Sequence, residues 1–308
     1  MSDGSVLTEI IILHFLRTID KKRGSDMNLQ FTGSSDYVVS EGLMDTVNIA
    51  MALQKPLLGK GEPGTGKTML AKAIADALGK ELVIWNIKST TKAQDGLYVY
   101  DVVQRLYDSQ FGTSGVDDIA KYIKMGKLGE AFGSEEQVVL LIDEIDKADL
   151  EFPNDLLWEL DQMEFYIPET KETIRAKSRP IVIITSNAEK ELPDAFLRRC
   201  IFHYIEFPDA EQMEKIVNVH FDKIDETLLE QTMNAFYEVR DLPKLEKKPS
   251  TSELIDWITA LTISGIDPEK IATELPFAGV LLKKDKDVDI AKESWDEKKA
   301  KAAKEANQ

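Results

Sequence analysis

The sequence predicts an α/β fold built around a parallel sheet, and three observations support this. A short apolar run, Leu57-Leu58, leads into a glycine-rich loop and then into a segment with helical spacing of apolar residues. Two later runs, Val138–Ile142 and Ile181–Ile184, are continuously apolar, which is typical of strands buried on both faces of a parallel sheet. Helical patterning over Gly42–Leu53 precedes the first strand, and a further apolar run, Ile201–Phe207, follows the last.

The loop GEPGTGKT, Gly61–Thr68, has the composition of a phosphate-binding loop. Its glycines let the backbone curl so that successive N–H groups face an anion, and the helix that follows adds the positive end of its dipole. Lys67 is then placed to reach the β- and γ-phosphates, and Thr68 to put a hydroxyl on Mg²⁺. A glycine-rich turn is the structural alternative, and the strand-to-helix context argues against it.

Two carboxylates end the apolar run of VVLLIDEIDKAD. Asp143 and Glu144 lie at the C-terminal end of that strand, which is where open α/β sheets bind ligands. Asp143 is predicted to hold Mg²⁺ through water, and Glu144 to accept a proton from an attacking water. Acidic residues also follow strands as ordinary loop residues, but two of them in register with a phosphate loop disfavour that interpretation.

The segment RPIVIITSNAEKELPDAFLRRC adds three polar candidates. Asn187 follows a buried strand, in a position to orient a water between a phosphate and Glu144. Arg198 and Arg199 end a short helix that LPDAF begins. Each has an ordinary interpretation as well, Asn187 as a turn residue and the two arginines as surface charge.

Composition restricts the partners. The 308 residues carry a formal net charge of −17, which disfavours loose binding to phosphate backbones and anionic lipid. A single cysteine, Cys200, rules out an internal disulfide and suits the reducing cytoplasm, which is the predicted location. The apolar stretch Val6–Leu16 is too short to span a bilayer and lacks the features of a secretory leader, so no membrane association is expected.

In their order along the chain, the phosphate loop, LLIDEID, ITSN and FLRRC resemble the AAA+ ATPases, and KSTTKAQDGLY and LLIDEIDKADLEFPNDLLWELD resemble their MoxR-type branch. The similarity extends over Tyr37–Leu261. It implies a five-stranded parallel sheet flanked by helices, then a small helical lid. It also implies that Asn187 is sensor 1 and that Arg199, or else Arg198, is an arginine finger acting on ATP held by a neighbouring subunit. The resemblance places ATP on Tyr37, Val38, Gly61, Glu62, Pro63, Gly64, Thr65, Gly66, Lys67, Thr68 and Met69, and Mg²⁺ on Thr68 and Asp143.

The resemblance also divides the chain. The parts are an N-terminal extension (residues 1–36), the ATPase core (37–208), the helical lid (209–275) and a charged tail (276–308). Two segments of the core are similar to elements that project from a ring, an insertion around Thr90–Asp101 and a hairpin over Glu164–Ala176. The tail is predicted to be a solvated helix or a disordered end, with Trp295 as a chance aromatic or a docking contact.

The lid departs from the family at one position. MoxR-type lids carry an arginine, sensor 2, directly after a proline, whereas Ser250 follows Pro249 here. Lys248 and Ser250 are the two candidates to replace it, and control of hydrolysis by the lid is therefore open.

Three functions of different class remain. The resemblance favours a ring, most simply a hexamer, that hydrolyses Mg-ATP to remodel or activate a client protein, with a partner that carries a von Willebrand factor A domain. A nucleic-acid translocating motor of restriction or defence type is the alternative. The sequence lacks the basic segments expected of such a motor. A phosphotransferase is disfavoured because Glu144 beside Asp143, together with the arginine pair, favours water as the phosphoryl acceptor.

Overall fold

A computed structural model describes residues 30–34, 36–112, 115–221 and 223–305 of the chain. The apolar stretch Val6–Leu16 lies outside these residues. Within them, an α/β core is followed by a helical lid. No helix of these ranges has both the length and the apolar character that crossing a bilayer requires.

Five parallel strands form the central sheet, in the order β2-β5-β8-β1-β9. In chain order the strands are β1 (Leu57–Gly61), β2 (Leu82–Asn86), β3 (Tyr98–Tyr100), β4 (Ile123–Met125), β5 (Val139–Asp143), β6 (Glu164–Ile167), β7 (Glu172–Arg175), β8 (Ile181–Ser186) and β9 (Ile201–Ile205). The predicted α/β fold with a five-stranded parallel sheet is confirmed. Gly59 lies in the middle of β1, which is paired on both sides.

Helices cover both faces of this sheet. Those of the core are α1 (Glu41–Leu53), α2 (Lys67–Leu78), α3 (Ala93–Leu97), α4 (Val102–Phe111), α5 (Lys127–Gly133), α6 (Phe152–Asp155), α7 (Leu157–Gln162) and α8 (Asp194–Leu197). Alternate residues of β5 enter different apolar clusters: Val139 and Leu141 pack with α1 and α2, whereas Leu140 and Ile142 pack on the other face. Burial on both faces explains why the strand is apolar at successive positions.

Two hairpins extend from the core. The insertion predicted around Thr90–Asp101 is longer than expected, because β3 pairs with β4 and α4 lies in the connection between them. Helix α4 has no buried residue, and it exposes five large apolar side chains, Val102, Val103, Leu106, Tyr107 and Phe111. The second hairpin, β6 with β7, lies where Glu164–Ala176 predicted one.

The lid is built from α9 (Ala210–His220), α10 (Glu226–Asp241), α11 (Thr251–Ser264), α12 (Pro268–Glu274), α13 (Ala278–Leu281) and α14 (Asp285–Glu305). Helix α14 differs from the predicted solvated or disordered tail, because it packs onto the other lid helices. Val288, Ala291 and Trp295 recur at helical spacing and join the lid core, and the Trp295 indole donates to the Ile271 carbonyl at 3.2 Å.

Candidate nucleotide-binding site

A cavity of about 850 Å³ lies at the carboxyl ends of the sheet strands, between the core and the lid. Its volume is in the usual range for a small-molecule site. Of the residues predicted to hold ATP, it is lined by Tyr37, Val38, Pro63, Gly64, Thr65, Gly66, Lys67, Thr68 and Met69. Gly61 and Glu62 belong to the loop but are not part of the lining. The cavity also contains Asp143, Glu144 and Asn187.

At Gly66 the phosphate loop turns into α2. The backbone φ there is +81°, a conformation that only glycine adopts readily. A Cβ atom there would lie 3.2 Å from the Tyr37 ring. Tyr37 is therefore packed against the loop, and burial raises the pKa of its hydroxyl to about 12. The phenol is neutral at ordinary pH and presents no charge to a nucleotide.

The Lys67 ammonium is held inside the loop. It is 6% exposed, and its Nζ donates to the carbonyls of Gly61 at 2.9 Å and Glu62 at 2.6 Å. Burial lowers the pKa of Lys67, while nearby carboxylates, Asp146 and Asp143 foremost, oppose that change. An anion that enters the loop would find a cation already positioned there.

Asp143 joins the loop to two strands. Thr68 Oγ1 donates to its carboxylate oxygens at 3.0 and 3.2 Å, and Thr185 Oγ1 donates at 2.6 Å. The same Thr185 hydroxyl accepts the backbone N–H of Glu144 at 2.8 Å. Thr185 thus fixes the position of both acidic residues at the end of β5.

The donor set fits Mg²⁺ brought in with a nucleotide. A hydroxyl and a carboxylate, from Thr68 and Asp143, meet at the mouth of the loop, and oxygen ligands are those that Mg²⁺ prefers. Among the described ranges no group of three or more histidine, cysteine or acidic side chains is arranged to hold a metal. Phosphate and water oxygens would have to complete the coordination, as is usual for Mg²⁺.

Both oxygens of the Glu144 carboxylate have partners. Asn187 Nδ2 donates to Oε1 at 2.9 Å, and the Lys147 ammonium donates to Oε2. The hydrogen bond to Glu144 raises the pKa of Lys147. The structure therefore brings Asn187 and Glu144 together, and it adds a cation that competes for the second oxygen.

Asp146 sets the position of the loop that carries Asn187. Its carboxylate is 2% exposed and accepts the backbone N–H of Asn187 at 3.3 Å and of Glu189 at 2.9 Å. Sequence reasoning missed this role, although Asp146 lies two residues after Glu144 in the motif and could have been examined for that reason. It also missed the part of the cavity wall formed by β9 and the lid, which includes His203, Gln212, Ile216, His220 and Ile255.

Arg198 and Arg199 lie outside the cavity lining, and both are exposed. Arg199 donates through Nε to Asp161 at 2.6 Å and through an η nitrogen to the Ala195 carbonyl at 2.9 Å. The Arg198 backbone N–H donates to the Asp194 carbonyl at 3.1 Å, but its side chain has no hydrogen bond or ion pair to any described residue. Neither arginine therefore belongs to the site of its own chain.

Comparison with known proteins agrees with this geometry. Residues 57–209 match the model of the family described as "ATPase family associated with various cellular activities (AAA)". This part of the chain is an AAA ATPase domain. The loop, the acidic pair and Asn187 all lie within the matched residues, and the domain is therefore an ATPase.

Two curated relatives carry the name Midasin. That of Giardia intestinalis is 27% identical over 201 residues, which are 62% of this chain and 4% of the relative. That of Dictyostelium discoideum is 38% identical over 53 residues, 17% of this chain and 1% of the relative. The chain thus spans only a small fraction of the length of either relative.

The contacts of Asp146 generate a prediction for Asp146→Asn. The new amide keeps one acceptor oxygen but turns an N–H₂ group toward a backbone donor, which should displace the Asn187 loop from Glu144. We expect turnover of ATP to fall by roughly 10- to 100-fold, as for a misplaced catalytic group, while nucleotide affinity changes little. Steady-state kinetics and titration with a fluorescent ATP analogue measure the two quantities. Asp149→Asn, at an exposed acid of the same segment, is the control, and wild-type turnover in Asp146→Asn would contradict the assignment.

Proposed function

We propose that this chain is a MoxR-type AAA+ ATPase that assembles into a ring, most simply a hexamer, and uses Mg-ATP hydrolysis to remodel or activate a client protein. The observation that carries the hydrolytic part is the meeting of Lys67, Thr68, Asp143, Glu144 and Asn187 in one cavity beneath the lid. A cytoplasmic location stays a prediction from the sequence.

Each side chain has a role that its contacts suit. Lys67 would bind the β- and γ-phosphates, and Thr68 with Asp143 would hold Mg²⁺, which when bound neutralises phosphate charge. Glu144 would take a proton from the attacking water, and Asn187 would orient that water. Asn187 and Lys147 each occupy one acceptor site of the Glu144 carboxylate, which is 33% exposed, so the remaining lone pairs are open to a water.

The exposure of Arg198 and Arg199 supports a ring. An arginine that stabilises the transition state must contact the transferred phosphate, and neither of these lies in the cavity of its own chain. A neighbouring subunit is therefore the place where one of them would act. Their contacts do not distinguish the two arginines: Arg199 forms an ion pair with Asp161, whereas the Arg198 side chain has no partner among the described residues.

The two projecting hairpins support a protein as the client. Helix α4 presents Leu106, Tyr107 and Phe111 to solvent, which suits apolar contact with a protein. Two lysines of this insertion pair with acids, Lys121 with Asp118 and Lys124 with Asp101, so its surface is mixed in charge and not basic. A von Willebrand factor A domain partner is proposed from the MoxR resemblance alone.

Substitutions at the loop and at the acidic pair separate binding from hydrolysis. Lys67→Ala should abolish ATP binding, because the contact to the β- and γ-phosphates and its charge are lost. Glu144→Gln should bind ATP yet hardly turn it over, since an amide cannot accept the proton. Nucleotide titration and phosphate release measure these effects, and hydrolysis at the wild-type rate by Glu144→Gln would show that the base is another residue.

The ring proposal is tested by mixing defective subunits. Loss of the finger should leave ATP affinity nearly intact and reduce turnover by about three to five powers of ten, and Arg199→Ala and Arg198→Ala are each to be measured. Mixing the inactive arginine variant with Lys67→Ala should restore partial activity, because some interfaces then join a sound finger to a sound loop. Full activity in a monomer, verified by light scattering, would contradict this proposal.

The client proposal is tested by stimulation of ATP turnover. A co-purifying protein should raise the rate, and replacing Leu106 and Phe111 by serine should reduce that rise while basal turnover persists. Ile263→Ser, which removes an apolar side chain that is 82% exposed on the lid, is the matched control.

Trimming the tip of the second hairpin, Glu169–Glu172, should likewise reduce the stimulation by the protein and spare basal turnover. Strong stimulation by DNA or RNA at physiological salt, with none by protein, would favour the translocating motor.

A further inference from the structure

One buried arginine joins the lid to the phosphate loop. Arg240, in the last turn of α10, is 7% exposed. One of its η nitrogens donates to Glu62 Oε2 at 2.9 Å, and the other donates to the Pro249 carbonyl. Its guanidinium lies over the Phe207 ring, 3.3 Å from the ring centre. No other arginine of the described ranges is buried to this degree.

These contacts form a continuous path from the nucleotide site to the lid. The Glu62 carbonyl accepts from Lys67 Nζ at 2.6 Å, and the Glu62 carboxylate accepts from Arg240. Pro249, the other partner of Arg240, lies two residues before α11, and Phe207 lines the nucleotide cavity. The guanidinium therefore contacts the loop, the start of a lid helix and the cavity wall at once.

A second contact places the same lid segment directly on the loop. A Cβ atom on Gly64 would lie 2.3 Å from Ser250 Cβ, so the two residues are packed as closely as glycine permits. The Ser250 N–H and hydroxyl both donate to Glu253, which caps α11. A longer side chain at position 250 could not keep this contact. Lys248 is exposed and is not part of the cavity lining, so neither candidate from the sequence supplies a cation at the loop.

We propose that Arg240 is a positioning residue that couples the lid to the phosphate loop through Glu62. The Glu62 carbonyl also accepts from the Thr65 hydroxyl at 2.9 Å. When a bound phosphate draws the Lys67 ammonium away from that carbonyl, Glu62 loses one of its three hydrogen bonds and keeps those to Thr65 and Arg240. Arg240 transmits that change to Pro249 and α11. A ligand shifts a conformational equilibrium only through contacts that differ between the states, and the Lys67–Glu62 contact is such a difference. The proposal depends on nucleotide binding at the loop and not on the proposed client.

The test measures lid position with and without ATP. Spin labels at Lys72→Cys on α2 and Ile263→Cys on α11, in a Cys200→Ser and Glu144→Gln background, report the distance between core and lid. We expect ATP to shift the distance distribution when Arg240 is present. Arg240→Met keeps the apolar stem but removes the charge and both donors, and it should lose the shift while still binding ATP. Arg240→Lys keeps the charge without the planar fork and should retain only part of the shift.

Variants at other positions distinguish coupling from simple loss of structure. Glu62→Gln should lose the shift as Arg240→Met does, and the double variant should behave as either single one. Lys284→Met removes a lid cation that pairs with Glu246 away from the loop, and it should keep the shift. Emission from the buried Trp257 and Trp295 reports whether the lid is folded, and if it is not in Arg240→Met, the Glu62→Gln result decides. An equal shift in wild type and in both single variants, or no shift in wild type, would overturn the proposal. Since no client is present, the outcome is independent of the client test.

Discussion

The buried carboxylate of Asp143 is the constraint on which the site depends. A charge with 8% exposure is tolerated only when it is paired and hydrogen-bonded. Thr68 from the first turn of α2 and Thr185 from β8 provide those bonds, and the Lys67 ammonium provides opposite charge nearby. The Asp143 carboxylate therefore fixes helix α2 and the neighbouring strands β5 and β8 relative to one another. Its tightest partner, Thr185, also holds the backbone of Glu144.

The same end of the site contains two residues, Glu144 and Ala188, whose backbone has a positive φ. Glu144 has φ of 59° and Ala188 has φ of 63°, in the left-handed region that side chains other than glycine adopt at a cost of about 1–2 kcal/mol. Hydroxyls from the end of β8 hold both: Thr185 accepts from Glu144 N–H, and Ser186 accepts from Ala188 N–H at 3.2 Å. Strained residues persist where the surroundings determine them this fully, and such positions are common at functional sites.

Patterns local in sequence predicted the sheet and the residues that line its carboxyl edge. Continuous apolar runs identify strands buried on both faces, and loop glycines, Lys67 and Asp143 each follow or precede such a run. Contacts between distant parts of the chain left no comparable signal. Val288, Ala291 and Trp295 are separated by charged residues, so the packing of α14 is hidden in its composition. In the sequence, Arg240 resembles any arginine near a helix end. Only its contact with Glu62, 178 positions away along the chain, shows that it has a specific partner.

Arg199 and Arg240 differ in burial, and we expect this difference to decide how easily each exchanges its partner. The Arg199 side chain is 44% exposed and Asp161 is 40% exposed, and a pair so placed contributes about 0–1 kcal/mol, little enough for a phosphate to displace the carboxylate. The Arg240 side chain is only 8% exposed and lies against the Phe207 ring, the Pro249 carbonyl and the Glu62 carboxylate, although the Glu62 side chain is itself 47% exposed. Removing one partner would leave a buried charge uncompensated, which proteins tolerate poorly. An exposed arginine is thus suited to reach into a neighbour's site, whereas a buried one is suited to keep two parts of its own chain in register.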